Sequence, residues 1–274
     1  MPELPEVETI ARSLHCGKDV ICPIVGKKVR KTHLYWLKTL ANTSAKKMND
    51  LLADRVIQSV SRRGKYLIVT FDENNLLIHL RMSGDLRVEH SHETPHQKHD
   101  RLVLDFTDGW RLVFNDPRKF GRAWLVSDPL EILRTLGPEP LDPLLTANRF
   151  HQMLVARKRQ LKPLLLDQTF LAGLGNIYTD EALHLARLHP LRSSASLLPA
   201  ESRTLLNSIR SVLKQGIRRN GASIDWVYRG GEFQNLFHVY QRQGEGCPVC
   251  GTTIQRILVG QRGTHFCPVC QPLS

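Results

Sequence analysis

Near the start of the chain, Val7, Ile10, Ala11 and Leu14 recur at helical spacing, so one face of this segment is apolar. Pro5 suits a first helical turn, and Glu6 and Glu8 suit its positive end. Further on the period becomes two. Residues 56–61, 66–71 and 76–80 read as strands, with 72–75 as a hairpin turn, and 101–106 and 110–115 form a second hairpin around Asp108-Gly109. Consecutive strands joined by tight turns predict an antiparallel sandwich or barrel. Leu136-Gly-Pro-Glu-Pro-Leu-Asp-Pro then reads as a stiff linker over 136–145. Beyond it the period is helical again: Phe150, Met153 and Leu154 begin one helix, and Leu205, Ile209, Val212 and Leu213 mark a long one. Between them, 164–167 and 181–188 flank the Gly-rich turn Leu171-Ala-Gly-Leu-Gly-Asn-Ile-Tyr178, a helix-turn-helix-like element whose second helix starts near Asn176. A helix start of this kind suits phosphate.

Length and composition fit about two folded domains. Of 274 residues, 41% are hydrophobic, too many for a disordered chain, and no run of 18 apolar residues offers a spanning helix. The acidic opening MPELPEVET lacks the basic start and apolar stretch of a secretory signal, so the expected location is the cytoplasm. Lys and Arg number 38 against 26 Asp and Glu, a net charge of +12. Residues 151–274 hold 15 basic and 7 acidic residues, so most of the excess lies there. A polyanion, most simply nucleic acid, is the partner this implies; the alternative is a basic but inert surface.

Four of the six cysteines form two identical Cys-Pro-Val-Cys turns, Cys247 with Cys250 and Cys267 with Cys270. In a cytosolic chain that spacing points to one structural Zn²⁺ in a closed site of four thiolates, against the alternative of two redox pairs. Cys16 and Cys22 read as ordinary thiols. The stretch with His90, His92, His96 and His99 reads mainly as a solvated loop. The Met1-Pro2-Glu3 start admits a chemical reading. Removal of Met1 exposes Pro2 as a secondary amine, and an α-amino group titrates near ~8, lower beside a helix N-terminus. Such an amine attacks an aldehyde-like carbon to give an iminium. Glu3 is placed to act as an acid, and Glu6 to orient or relay protons. Taken alone, the same residues are an ordinary helix start.

MPELPEVET resembles the opening of the formamidopyrimidine-DNA glycosylase family of bacterial repair enzymes. So do Arg62-Arg-Gly-Lys-Tyr66, His79-Leu-Arg-Met-Ser-Gly84, Lys98-His-Asp100, Asn115-Asp-Pro-Arg-Lys-Phe-Gly121, Leu136-Gly-Pro-Glu-Pro140, Gly175-Asn-Ile-Tyr178, Asp180-Glu181 and Thr264-His-Phe-Cys-Pro268. The ordered series runs along nearly the whole chain. It implies an α+β fold: an N-terminal helix and antiparallel β-sandwich over 1–135, the linker 136–145, a helical DNA-binding domain with a helix–two-turn–helix over 146–240, and a zinc-ribbon hairpin over 241–274. It also implies a monomer that acts on damaged double-stranded DNA and has no membrane association.

By this resemblance Pro2 attacks C1′ of an oxidised purine nucleoside, Glu3 protonates the sugar-ring oxygen, and β- and δ-elimination cut the strand. Lys65 and Arg262 are candidate proton donors, and Glu6 and Glu181 support the catalysis. Met82, Arg118 and Phe120 fill the space left by the extruded nucleotide, a role that suits two apolar wedges and a stacking cation. His79, His99, Arg157 and Asn176 contact DNA. The zinc hairpin holds Arg262 against it. Two departures stand out: the loop Asn220-Gly-Ala-Ser-Ile-Asp-Trp226 differs from the family pattern, and Gln261 stands where a glycine is frequent. Two rivals remain at this point. One is an endonuclease VIII-type enzyme for oxidised pyrimidines, and the other a zinc-ribbon DNA-binding protein without catalysis.

Overall fold

The computed structural model describes residues 1–17, 22–91, 95–223 and 230–273. They form two compact units, one with residues 1–2 and the described part of 6–134, the other with 3–5, 135–223 and 230–273.

The chain begins with α1 (Leu4–Cys16). The first unit continues with β1 (Val29–Leu34), α2 (Ala45–Leu52), β2 (Ser59–Arg63), β3 (Tyr66–Thr70), β4 (Asn75–His79), β5 (Asp85–His90), β6 (Asp100–Phe106), β7 (Trp110–Asn115), β8 (Arg122–Val126) and the single-turn α3 (Leu130–Leu133). The strands make two four-stranded antiparallel sheets, β1-β6-β7-β5 and β2-β3-β4-β8. Alternating side chains Leu67 and Val69, Leu76 and Ile78, Leu102 and Leu104, and Leu112 and Phe114 enter one core, which Val7, Ala11 and Leu14 of α1 complete. The buried polar groups of β6 are paired: Asp100 accepts from Arg87 and Asn115, and Asp105 from His33.

Four predicted strands are β3, β4, β6 and β7. The segment predicted over 56–61 starts later, as β2, because Ile57 exchanges backbone hydrogen bonds with residues 26 and 27 instead. β1, β5 and β8, which the apolar period did not reveal, are all edge strands. In β1 and β5 interspersed charges, as in Val-Arg-Lys-Thr-His-Leu and Asp-Leu-Arg-Val-Glu-His, mask the alternation, whereas β8, Arg-Ala-Trp-Leu-Val, is a short apolar run with no period of two.

The second unit contains α4 (Ala147–Val155), α5 (Leu161–Leu166), α6 (Asn176–Leu185), α7 (Pro199–Arg218) and the hairpin of β9 (Gln255–Val259) and β10 (Arg262–Phe266). α6 and α7 pack closely at Gly216, where a Cβ would lie 2.5 Å from the Tyr178 ring. The proline-rich segment lies against α7: Arg210 donates to the carbonyls of Pro140, Asp142 and Leu145. The turn between α5 and α6 bends at Gly173, φ +99°, and the Gln168 amide fastens it by accepting from Gly173 N–H and donating to the carbonyls of Leu166 and Leu174. Among the described residues no helix is long and apolar enough to cross a membrane. Part of the departing loop, residues 224–229, lies outside the described residues.

Candidate active site and metal centre

The Gly-rich turn that suited a phosphate holds a carboxylate of the chain itself. Glu3 is buried, with Oε2 accepting from Gly175 N–H at 2.7 Å and Oε1 from Ile177 N–H at 3.0 Å. These donors lie at the start of α6, where the helix dipole favours an anion. The fit requires glycine: a Cβ on residue 175 would lie 2.3 Å from Glu3 Cδ. Leu4 N–H donates to Gly173 O, which places the residues around Glu3 along the turn.

Near this carboxylate lies a cation that sequence reasoning named only as part of a basic neighbourhood. Lys162 is fully buried and bonds Asp180. Burial pushes its ammonium below the usual lysine range, and the charges of Asp180 and then Glu3 oppose that shift, while Arg262 adds to it. Its one sequence signal is that it is the sole charge in Leu-Lys-Pro-Leu-Leu-Leu. Asp180 also accepts from His265 N–H at 3.0 Å, tying α6 to β10.

Glu181 is buried and accepts three backbone N–H bonds, from His238, Val239 and Tyr240. Burial raises its pKa, against the pull of those three amides. It fastens the segment that leads into the cysteine turns. Asn176 donates to Gly263 O at 3.0 Å and so holds the beginning of β10. Arg262 opens β10, exposed, after Gly260 and Gln261, both at positive φ. Arg157 is exposed just past α4.

In the first unit, Pro2 and Glu6 are buried. Lys65 sits at the tip of the β2–β3 hairpin after Gly64, φ +58°. A lysine at a hairpin tip is ordinarily solvated, yet Lys65 is 5% exposed. His79 ends β4, and its Nδ1 accepts from Arg81 N–H at 3.0 Å, which leaves the ring proton on Nε2. Burial, then the positive charges of Arg81 and Lys65, lower its pKa to about 3, so the ring is neutral.

Met82, Arg118 and Phe120 lie on two turns joined by one carboxylate. Asp116 is buried and accepts from Ser83 Oγ, Arg118 N–H and Gly121 N–H. Both turns close on Phe114, since a Cβ on Gly84 or Gly121 would collide with its ring. The Arg118 guanidinium stacks 5.0 Å from the Phe120 ring. Met82 is 43% and Phe120 49% exposed, so neither is a core residue. Arg101 donates to Asp116 O and contacts His99 Nδ1, which brings His99 to the same edge. Sequence reasoning gave no role to Asp116, although it lies inside the Asn115–Gly121 motif, or to Arg101, because the bonds from Asp116 to Ser83 and from Arg101 to Asp116 join separate segments of the chain.

The Sγ atoms of Cys247, Cys250, Cys267 and Cys270 all lie within 4.8 Å of one another. Measured pairs are 3.9 Å for Cys247–Cys270 and 3.5 Å for Cys250–Cys267 and Cys250–Cys270. A tetrahedron with Zn–S bonds of about 2.3 Å has S–S edges of about 3.8 Å, so the four thiols fit one zinc ion, with every position filled by protein.

The chain matches three sequence families: the formamidopyrimidine-DNA glycosylase N-terminal domain over residues 1–123, the formamidopyrimidine-DNA glycosylase H2TH domain over 136–227, and a zinc finger found in FPG and IleRS over 244–273. It is 42% identical to the formamidopyrimidine-DNA glycosylase of Protochlamydia amoebophila, covering 99% of both chains. It is 44% identical to that of Herpetosiphon aurantiacus, covering 99% of this chain and all of the relative. Its fold is similar to that of the wild-type Lactococcus lactis protein in complex with a N7-benzyl-Fapy-dG DNA (TM-score 0.91, 39% identity, covering 99% and 100% of the two chains). It is also similar to MutM in complex with DNA containing carbocyclic 8-oxo-G (TM-score 0.91, 38% identity, with the same coverage).

Proposed function

The chain belongs to the formamidopyrimidine-DNA glycosylase family, and from that premise we infer that Pro2 is its nucleophile and Glu3 the acid beside it. It is a DNA glycosylase with abasic-site lyase activity that removes oxidised purines, 8-oxoguanine and formamidopyrimidines, from damaged duplex DNA in base-excision repair. It carries one structural Zn²⁺. It acts as a monomer, in the cytoplasm of a bacterium.

The observation that supports these roles most is the seat of Glu3. A carboxylate held by two backbone amides has a fixed orientation, which a proton transfer to a defined oxygen requires. With Met1 removed, the Pro2 nitrogen bonds to C1′ as the bond to the oxidised base breaks. Glu3 protonates the ring oxygen, the sugar opens, and an iminium joins protein and DNA. Loss of a C2′ proton expels the 3′ phosphate, and a second elimination expels the 5′ phosphate. Lys65 and Arg262 move protons in these steps. Glu6 supports Pro2. Glu181 supports the chemistry by fixing the backbone of 238–240. Met82, Arg118 and Phe120 occupy the vacated stack, and His79, His99, Arg157 and Asn176 contact the DNA.

Excision rates on duplexes carrying 8-oxoguanine or thymine glycol test the reading. Faster release of 8-oxoguanine is expected. A preference for thymine glycol would assign the chain to oxidised pyrimidines, and DNA binding without any strand cutting would leave a zinc-ribbon binder.

A further inference from the structure

α6 fastens the segment that follows α7 at three points. Asp180 takes His265 N–H, Glu181 takes the amides of 238–240, and His184 reaches the metal centre. Positions 180, 181 and 184 share one face of a helix, so the three contacts form one stripe.

His184 is 3% exposed, and its Nε2 lies 3.5 Å from Cys247 Sγ. A zinc-bound thiolate carries no proton, so a ring nitrogen facing it pairs with it only as a donor. Nδ1 has no hydrogen-bond partner among the described residues, so the proton belongs on Nε2, facing sulfur. Zinc ringed by four thiolates carries a net charge of −2, which donors to sulfur disperse. The finger supplies backbone donors of its own, Val249 N–H to Cys247 Sγ and Cys270 N–H to Cys267 Sγ. His184 adds one from outside it.

We propose that His184 is a positioning residue of the zinc site, donating Nε2–H to the Cys247 thiolate and thereby making that sulfur less nucleophilic while tying the metal knuckle to α6. The hydrogen bond draws electron density from sulfur. The thiolate then resists the alkylating and oxidising agents that strip zinc from thiolate sites. The proposal rests on the structural zinc assigned above.

The test compares wild type, His184→Phe and His184→Gln, each purified with zinc. Metal content is measured first, then zinc release during iodoacetamide treatment, followed with a chromogenic chelator. The sulfur-to-cobalt charge-transfer band of the Co²⁺-substituted proteins is recorded alongside. His184→Phe, which keeps a ring but lacks the donor, is expected to lose zinc on the order of three- to tenfold faster and to shift the band to lower energy. His184→Gln, which retains an N–H donor, is expected to restore both. Equal rates and bands in three fully loaded proteins would overturn the assignment, as would a glutamine variant that behaves like phenylalanine, since packing alone would then explain the residue. Absence of zinc from the wild type would refute the metal centre as well.

Discussion

Gly175 holds Glu3 with its N–H and, by having no Cβ, leaves the space that the carboxylate occupies. Gly175→Ala therefore collides with the free end of a side chain rather than with backbone. The fold should tolerate it, with a melting temperature within about 4 °C of wild type. With Glu3 in its proposed role of acid, excision of 8-oxoguanine should fall by about 100-fold, because displacing such a group by an ångström costs that much. A variant with normal excision kinetics would show that the seat of Glu3 does not matter. His79 gives a second prediction, read in stability. Its folded pKa is about 3, against 6.5 for the free ring. Below pH 6.5 the unfolded chain takes up a proton that the native protein refuses, so stability falls as the pH drops from 6.5 towards 3. Between pH 7 and pH 5 the loss from this one ring is about 2 kcal/mol. Denaturant unfolding of wild type and His79→Gln at both pH values should show a smaller loss in the variant. Parallel pH dependence in the two would contradict a neutral buried ring.

The two turns that present Met82, Arg118 and Phe120 act as one element because Asp116 bonds to both. Phe120→Ala removes an exposed ring, so stability should hardly change. Excision from duplex DNA should slow about 10- to 100-fold, since unstacking a base costs a few kcal/mol. Cleavage at a preformed abasic site, where no base must leave the stack, should change much less. Equal damage to both activities, with a large drop in melting temperature, would return Phe120 to a packing role. This element also marks the limit of what the sequence discloses. α1, the central strands and the cysteine pairs follow from periods and spacings within a few residues, and Met82, Arg118 and Phe120 stand out through the motifs that contain them. Asp116 is 33 positions from Ser83, Lys162 is 18 from Asp180, and Glu3 is 172 from Gly175. Contacts of that span leave no local pattern, and a buried lysine reads in sequence like any other basic residue. The edge strands β1 and β5 were hidden for a different reason, the charges interspersed along them. Gln261 was legible as a departure, and the structure gives its cost: φ is +62° where a Cβ is strained.

At the scale of the whole molecule, the +12 charge attracts a polyanion but does not choose the lesion. The zinc site organises the hairpin that carries Arg262. Cys267→Ser should therefore lose zinc and affinity for lesion DNA together, as seen by metal analysis and binding titration. Full affinity in a zinc-free variant would separate the metal from DNA binding. The proposed chemistry turns on one covalent bond, between the amine of Pro2 and the sugar of the damaged nucleotide. Borohydride reduction during turnover of an 8-oxoguanine duplex, followed by mass mapping of the trapped complex, tests it most directly. A stable protein–DNA adduct is expected on the peptide that begins at Pro2, and no adduct when an N-terminal extension is left in place. An adduct of equal yield on the extended protein, or one mapped to Lys65 or Lys162, would contradict it.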